Sequence, residues 1–349
     1  MVTMKEIADS LGISKSTVSL VLAGKDAKRV SPELSARVRS RAAEMGYVFN
    51  NLASSLRTNR TRMLGFIGDD IATTPYAGRL ILGAQDAARA LGYMLLTVNS
   101  NGSEESRASE IDGLKQYGVD GFLFACMYNR FTHLPEGLKE SPTVIVDAAE
   151  RDGAAPSIRP DEEAIGRTAT ARLLDAGCRR IAFIGSHGPM EAQRGRLAGY
   201  RHELHDHAVA FNPDLVVNVE MGRDGVDKVH DLVEREHPDG FFCFNDARAW
   251  YVYEEAARRG LNVGTDISVV GVDNHQMLAE MLSPKLSTIE LPHYEMGYWG
   301  ILKLVEIVEG RRLDDARIPT MRAPLPSLDE RAAEIPCTLV DKESVCARC

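Results

Sequence analysis

From residue 63 onward the chain alternates short apolar runs with amphipathic stretches, and it does so twice. Apolar runs at 63–68, 93–99, 121–126 and 143–147 predict strands, with helical patterns at 76–91 and 104–117 between them. A second set of strands follows at 180–184, 215–219, 240–244 and 267–272, again separated by helical stretches. Strands that alternate with helices pair in parallel, because each crossover helix returns the chain to the same end of the sheet. Helices then cover both faces. The expected fold class is therefore an α/β body of two doubly wound parallel-sheet lobes. Ligands in such sheets bind beyond the carboxyl ends of the strands. There is no Gly-x-Gly-x-x-Gly or Walker A pattern, so a nucleotide-phosphate cradle is not expected.

The first sixty residues read differently. The net charge of the whole chain is −9, but residues 1–62 hold eleven cationic and five acidic side chains, a net of +6 that leaves −15 for the remainder. A basic head on an acidic body is the charge pattern of a polyanion-binding module joined to a soluble domain. Thr3 and Glu6 form a capping box before a short helix with Met4, Ile7, Ala8 and Leu11 on one face. Gly12 supplies a turn, and Ser14 caps a second helix to Leu22. Ser31-Pro32-Glu33 starts a third helix, which Gly46 ends. Two short helices joined by a tight turn are a helix-turn-helix, whose second helix enters the major groove. A small dimerisation bundle is the alternative, but short Ser/Thr-rich helices with cationic flanks suit phosphate better than a dimer seam.

The motifs Met4-Lys5-Glu6-Ile7-Ala8, Gly12-Ile13-Ser14-Lys15-Ser16-Thr17-Val18-Ser19, Gly46-Tyr47 and Asn51-Leu52-Ala53-Ser54-Ser55-Leu56-Arg57-Thr58 occur in that order. Together they closely resemble the LacI/GalR repressor family, and the likeness continues to about residue 331. The resemblance implies an all-α helix-turn-helix domain at 1–48 and a hinge helix at 49–62. It implies a periplasmic-binding-protein-like type I sensor at 63–331, the effector-binding and dimerisation domain. The first lobe would span about 63–158 and 287–317, the second about 159–286 and 318–331, with a disordered tail at 332–349. By the same resemblance Lys15, Ser16 and Leu20 read bases, while Thr3, Thr17 and Ser19 position phosphates. Ala53, Leu56 and Arg57 would act from the hinge, Leu56 as a minor-groove wedge. Leu20, Ala23 and Ser54 depart from the residues the family commonly has there.

Strand ends and the resemblance together supply the effector-site candidates. Asp70 lies in the loop after the first strand, and Tyr76 matches an aromatic able to stack on a sugar or base. Asp147 ends a strand, and Arg196 matches an arginine that contacts effector oxygens. Asn245-Asp246 and Asp273 each follow a strand. Acids and amides accept from vicinal hydroxyls while an aromatic face covers C–H groups. Alternatives stand beside these readings: Asp246 as a helix cap, Asp273 as a turn residue, Tyr76 as packing. Trp250 is expected in the core.

Several classes are excluded. At 44% hydrophobic and 26% charged the composition is that of a soluble globular protein, and no apolar run reaches the length a membrane span needs. The N-terminal residues lack an apolar signal segment, so a cytoplasmic location is expected. Cys126, Cys178 and Cys243 read as buried thiols. Cys337, Cys346 and Cys349 lack the fourth ligand that a structural zinc site requires, and the histidines at 187, 202, 205 and 207 read as a solvated face. Neither metal nor cofactor is expected. No catalytic pair stands out, so the chain is not read as an enzyme. The expected partners are a pseudopalindromic double-stranded DNA operator, a second copy of the chain in a homodimer and a small-molecule effector, but no membrane. The effector is expected to be a carbohydrate. A purine or other metabolite acting as corepressor is the alternative, and a solute-binding protein for transport is a more distant one.

Overall fold

The computed structural model describes residues 2–22, 24, 26–27, 29–47, 60–69, 76–188, 190–313 and 321–345. The chain separates into two compact units, Met1–Thr61 and Arg62–Cys349.

In the first unit three helices, α1 (Met4–Leu11), α2 (Lys15–Leu22) and α3 (Pro32–Glu44), surround one small core. Thr3 starts α1 by the expected capping box: its hydroxyl accepts from Glu6 N at 3.3 Å, and its own N–H donates to Glu6 Oε2 at 2.7 Å. Gly12 ends α1 at φ 68°, a left-handed conformation open to glycine without cost. Ser14 Oγ accepts from Thr17 N at 3.1 Å, and Ser31 Oγ accepts from Leu34 N at 3.3 Å, with Pro32 opening α3. Each such cap contributes about 1 kcal/mol. Ile7, Ala8, Val18, Val21, Val38 and Ala42 form the buried centre.

The second unit holds two six-stranded sheets. The first has the order β11-β5-β4-β3-β1-β2, built from β1 (Met63–Asp69), β2 (Met94–Ser100), β3 (Gly121–Thr132), β4 (Thr143–Glu150), β5 (Ser157–Pro160) and β11 (Ala332–Ile335). The second has the order β12-β10-β9-β8-β6-β7, built from β6 (Ile181–Ser186), β7 (Val216–Val219), β8 (Gly240–Cys243), β9 (Ser268–Val272), β10 (Ser287–Glu290) and β12 (Thr338–Val340). All pairings are parallel except β10 with β12. In the first lobe α4 (Ala77–Ala90) and α11 (His293–Glu309) cover one face, and α5 (Glu104–Gln116) the other. In the second lobe α6 (Glu162–Asp175) and α7 (Glu191–Asp206) cover one face. The other is covered by α8 (Arg223–Glu236), α9 (Asp246–Arg259) and the short α10 (Gln276–Met281).

Each lobe contains one helix pair in which backbones touch. A Cβ on Gly83 of α4 would lie 1.9 Å from Tyr294 O, and one on Gly297 of α11 would lie 2.1 Å from Leu80 O. In the second lobe a Cβ on Gly166 of α6 would meet Arg196 O at 2.2 Å, and one on Gly199 of α7 would meet Glu163 O at 2.1 Å. Only glycine permits such an approach.

Three of the expected boundaries move. The chain crosses between lobes after β5, after β10 and between β11 and β12. Residues 287–290, expected in the first lobe, form β10 of the second sheet, where all four are buried beside β9. The return to the first lobe begins only at α11. Residues 321–331, expected in the second lobe, pack on the first: Ala323 and Leu328 join its core, and Trp299 Nε1 donates to Pro326 O at 3.1 Å. The expected tail at 332–349 is also corrected. β11 pairs with β5, β12 pairs with β10, and Ser344, fully buried, donates to Val269 O at 2.6 Å. These strands are short and flanked by polar residues, so they lack the apolar run that marks a buried strand.

Candidate effector site and DNA-reading face

The cleft between the two lobes opens at the carboxyl ends of both sheets, and a cavity lies there. Tyr76, Asp147, Arg196, Asn245 and Asp273 all line it, so five of the six effector-site candidates converge. Asp70 lies outside the described residues. Glu162, Asn129 and His293 line it as well, and sequence reasoning missed all three.

Arg196, on α7, is 3% exposed and held by two acceptors: its Nε donates to Glu162 Oε2 at 2.7 Å and its Nη1 to Phe244 O at 2.5 Å. Its guanidinium carbon also sits 4.5 Å from the Phe244 ring centroid. Burial opposes its charge, but Glu162 and Asp273 together outweigh that and hold the guanidinium above its ordinary value. Glu162 is the first residue of α6, after the Asp161 cap, and reads in the sequence as an ordinary first-turn acid.

Asp147 lies in β4 where the register to β3 shifts between Ala125 and Arg130, and its φ of 54° is left-handed. Burial pushes its carboxyl well above the usual range, and the Glu162 charge adds to this against the pull of Arg196. Asp273 follows β9 at φ 111°. Its Oδ2 accepts from the Tyr76 hydroxyl at 2.6 Å, a bond from one lobe to the other. Burial pushes its carboxyl up to about 6, with Arg196 and the Tyr76 bond acting in the opposite direction. The Tyr76 ring stacks on His293, centroids 5.5 Å apart and planes 17° from parallel. Burial, with Arg79 and Arg196 nearby, pushes the His293 imidazole down to about 4, so it is neutral at physiological pH.

Asn245 caps α9: its Oδ1 accepts from Arg248 N at 3.1 Å and from Arg248 Nη1 at 3.2 Å. The cap was expected at Asp246, which instead is fully buried and accepts from Thr288 Oγ1 at 2.6 Å and His275 N at 2.7 Å. Asp246 thus ties α9 to the β9–α10 connection and to β10. Trp250, expected in the core, is 50% exposed, while its neighbour Tyr251 is buried and donates from its hydroxyl to Met221 Sδ. Adjacent positions on a helix differ by about 100°, so one aromatic turned inward turns the other out.

In the first unit Lys15 and Ser16 are exposed at the start of α2, and Thr17, Ser19 and Leu20 are partly exposed. Lys15 has no ion pair among the described residues, so its charge is open to an anion. The hydroxyls of Thr3 and Thr17 are already engaged, Thr3 with Glu6 and Thr17 with Ser14 at 2.9 Å. Ala53, Leu56 and Arg57 lie outside the described residues.

Comparison with known proteins decides the family. Residues 3–50 match the bacterial regulatory proteins of the lacI family, and residues 157–332 match the periplasmic binding protein-like domain. The chain is 32% identical to the ribose operon repressor of Escherichia coli strain K12 over 327 residues, covering 91% of this chain and 96% of that one. The chain belongs to the LacI family of bacterial regulatory proteins. A second relative, the HTH-type transcriptional repressor PurR of Vibrio campbellii, is 31% identical over 89% of this chain and 93% of its own. Among solved LacI-family folds, the transcriptional regulator CelR–cellobiose complex superposes with TM-score 0.67 at 25% identity, covering 99% of this chain and 100% of that one. As a LacI-family member the chain is a DNA-binding transcriptional repressor that responds to an effector. Among the described residues no helix is long and apolar enough to cross a membrane.

Proposed function

We propose that the protein represses transcription as a cytoplasmic homodimer on a pseudopalindromic operator, and that a sugar or sugar derivative in the interlobe cleft controls its grip. The observation that carries the effector half is the convergence of Arg196, Asp147, Asp273 and Asn245 with Tyr76 on one cavity. Directed polar groups fix hydroxyl positions, and the aromatic plane takes the apolar face of a pyranose or furanose. The Tyr76–Asp273 bond joins the lobes, so a ligand that competes for either group changes how they close. Such a change is reciprocal: whatever loosens DNA on ligand binding loosens ligand on DNA binding.

For the DNA half, Lys15, Ser16 and Leu20 are the proposed base-reading residues, with Thr3, Thr17 and Ser19 on phosphates and Ala53, Leu56 and Arg57 in the hinge. The hydroxyls and backbone N–H groups of Thr3 and Thr17 are engaged within their own helix caps, so a phosphate contact from either requires its hydroxyl to turn away from the cap. Selection of bound duplexes from a random pool, followed by anisotropy titration at several salt concentrations, tests this. We expect an inverted-repeat site and a steep loss of affinity with salt, shallower by about two units of log–log slope for Lys15→Ala if it meets a phosphate in each of the two half-sites. Absence of any salt-dependent duplex binding by the full chain would refute it.

A purine corepressor is a second reading, favoured by the parallel Tyr76–His293 stack, which a flat base could extend, and by the relative named PurR. The sign of the response separates the two. An inducing sugar lowers operator affinity and a corepressing base raises it.

A further inference from the structure

Among the described residues the cavity is lined by three acidic side chains and a single guanidinium. Arg196 is the cation of its inner wall, and two of its donor nitrogens are already placed on Glu162 and Phe244 O. The Tyr76 hydroxyl is spent on Asp273. Against these stand the carboxylates of Glu162, Asp147 and Asp273, all lining the same space.

A second, independent observation comes from Asn129, which is 1% exposed and lines the cavity beside Asp147. Its Nδ2 donates to Pro160 O and Glu162 Oε1, both at 3.3 Å. Both of those partners are acceptors, so the nitrogen and oxygen of this amide cannot be exchanged. Its Oδ1 is then left buried with no donor among the described residues. A buried acceptor without a donor opposes the folded state, and a donor brought by a ligand would relieve it.

We propose that the effector is a hydroxylated amine carrying a positive charge, an amino sugar or aminocyclitol, with its ammonium seated among Asp147, Glu162 and Asn129. This rests on the reading of the cleft as a carbohydrate-effector site. An ammonium brings three donors and one charge to a wall where a single guanidinium stands against three acidic side chains. The Asp147 end of the cavity is preferred over the Asp273 end, because Asp273 already accepts from the Tyr76 hydroxyl of the opposite lobe, whereas Asp147, which takes a backbone bond from Asn129, stands beside the unmet Asn129 Oδ1. Burial and the Glu162 charge both raise the affinity of Asp147 for protons, against the pull of Arg196, so a second cation at this wall favours the ionised carboxyl.

The test uses the full-length protein in 0.3 M salt, where loose attraction of cations to an acidic surface is screened. Glucosamine, galactosamine, mannosamine and 2-deoxystreptamine are titrated by thermal shift and calorimetry beside glucose, galactose, mannose and the N-acetyl hexosamines. We expect at least one amine to bind tenfold or more tightly than its neutral counterpart. Asp147→Asn should reduce that preference to under threefold. Asparagine tolerates a left-handed backbone, so the variant is chosen to fold. If it does not, the matched ligand pairs on the unaltered protein carry the test alone. Neutral hexoses binding as tightly as the amines in every pair would overturn the charge proposal and leave the sugar reading standing. Binding by none of either class would overturn both.

Discussion

Asp147 and Asp273 occupy matching places in two lobes of the same topology. Each stands at the fourth strand of its sheet counted from the outer edge of β2 or β7, and each has a left-handed backbone. They differ in company. Asp273 has the Tyr76 hydroxyl as a donor from the opposite lobe, and its carboxyl is pushed up to about 6. Asp147 faces Glu162 across the cavity and is held well above the usual carboxylate range. Duplicated architecture thus delivers two equivalent carboxyls to one cleft. The helices and loops around them then give one a bond that joins the lobes and leave the other without one among the described residues.

The largest expected effect comes from removing the cation both acids share. Arg196→Met leaves Glu162 buried without its partner, and urea unfolding should show a loss of about 3–5 kcal/mol. An unchanged midpoint would mean that the two acids do not depend on this guanidinium. The glycine pairs test the symmetry of the lobes directly. Gly199→Ala and Gly297→Ala should each cost about 3 kcal/mol, because a methyl group must push two backbones apart. A large loss in one lobe and none in the other would show that the two helix pairs only look alike. Tyr76→Phe removes the donor from Asp273 alone, and should lower stability by about 1.5 kcal/mol while leaving Asp147 untouched.

The smallest effect is in pH dependence. The raised carboxyl of Asp273 means the folded state holds that proton more tightly than the unfolded chain does. Its contribution to stability is present below the ordinary value near 3.8 and is lost as pH rises through about 6. Asp273→Asn has no such loss, so its melting temperature relative to the unaltered protein should climb between pH 4 and 7. A flat difference across that range would remove Asp273 from the account.

Much of this was legible in the residues. Alternating periodicities marked the eight long strands and their helices, and strand topology alone put Asp147, Asn245 and Asp273 at the right end of the sheets. Tyr76 and Arg196 came from resemblance, since an aromatic before a helix and an arginine within one have many ordinary uses. Glu162 and His293 were hidden because each sits in the first turn of a helix. Asn129 was hidden because the shift in β3 that turns it inward has no sequence signature beyond polar residues near a strand end. Trp250 shows the limit of helix periodicity: with apolar neighbours on both sides, phase is set by which aromatic the core accepts.

β11 and β12 lie only two residues apart, yet one closes the edge of the first sheet and the other the edge of the second. Neither lobe reaches its final width until this one short segment is laid down, so the halves are finished in a single event. A change that loosens the segment should be felt on both sides of the cleft at once, which binds the fate of the two lobes more tightly than their separate cores require.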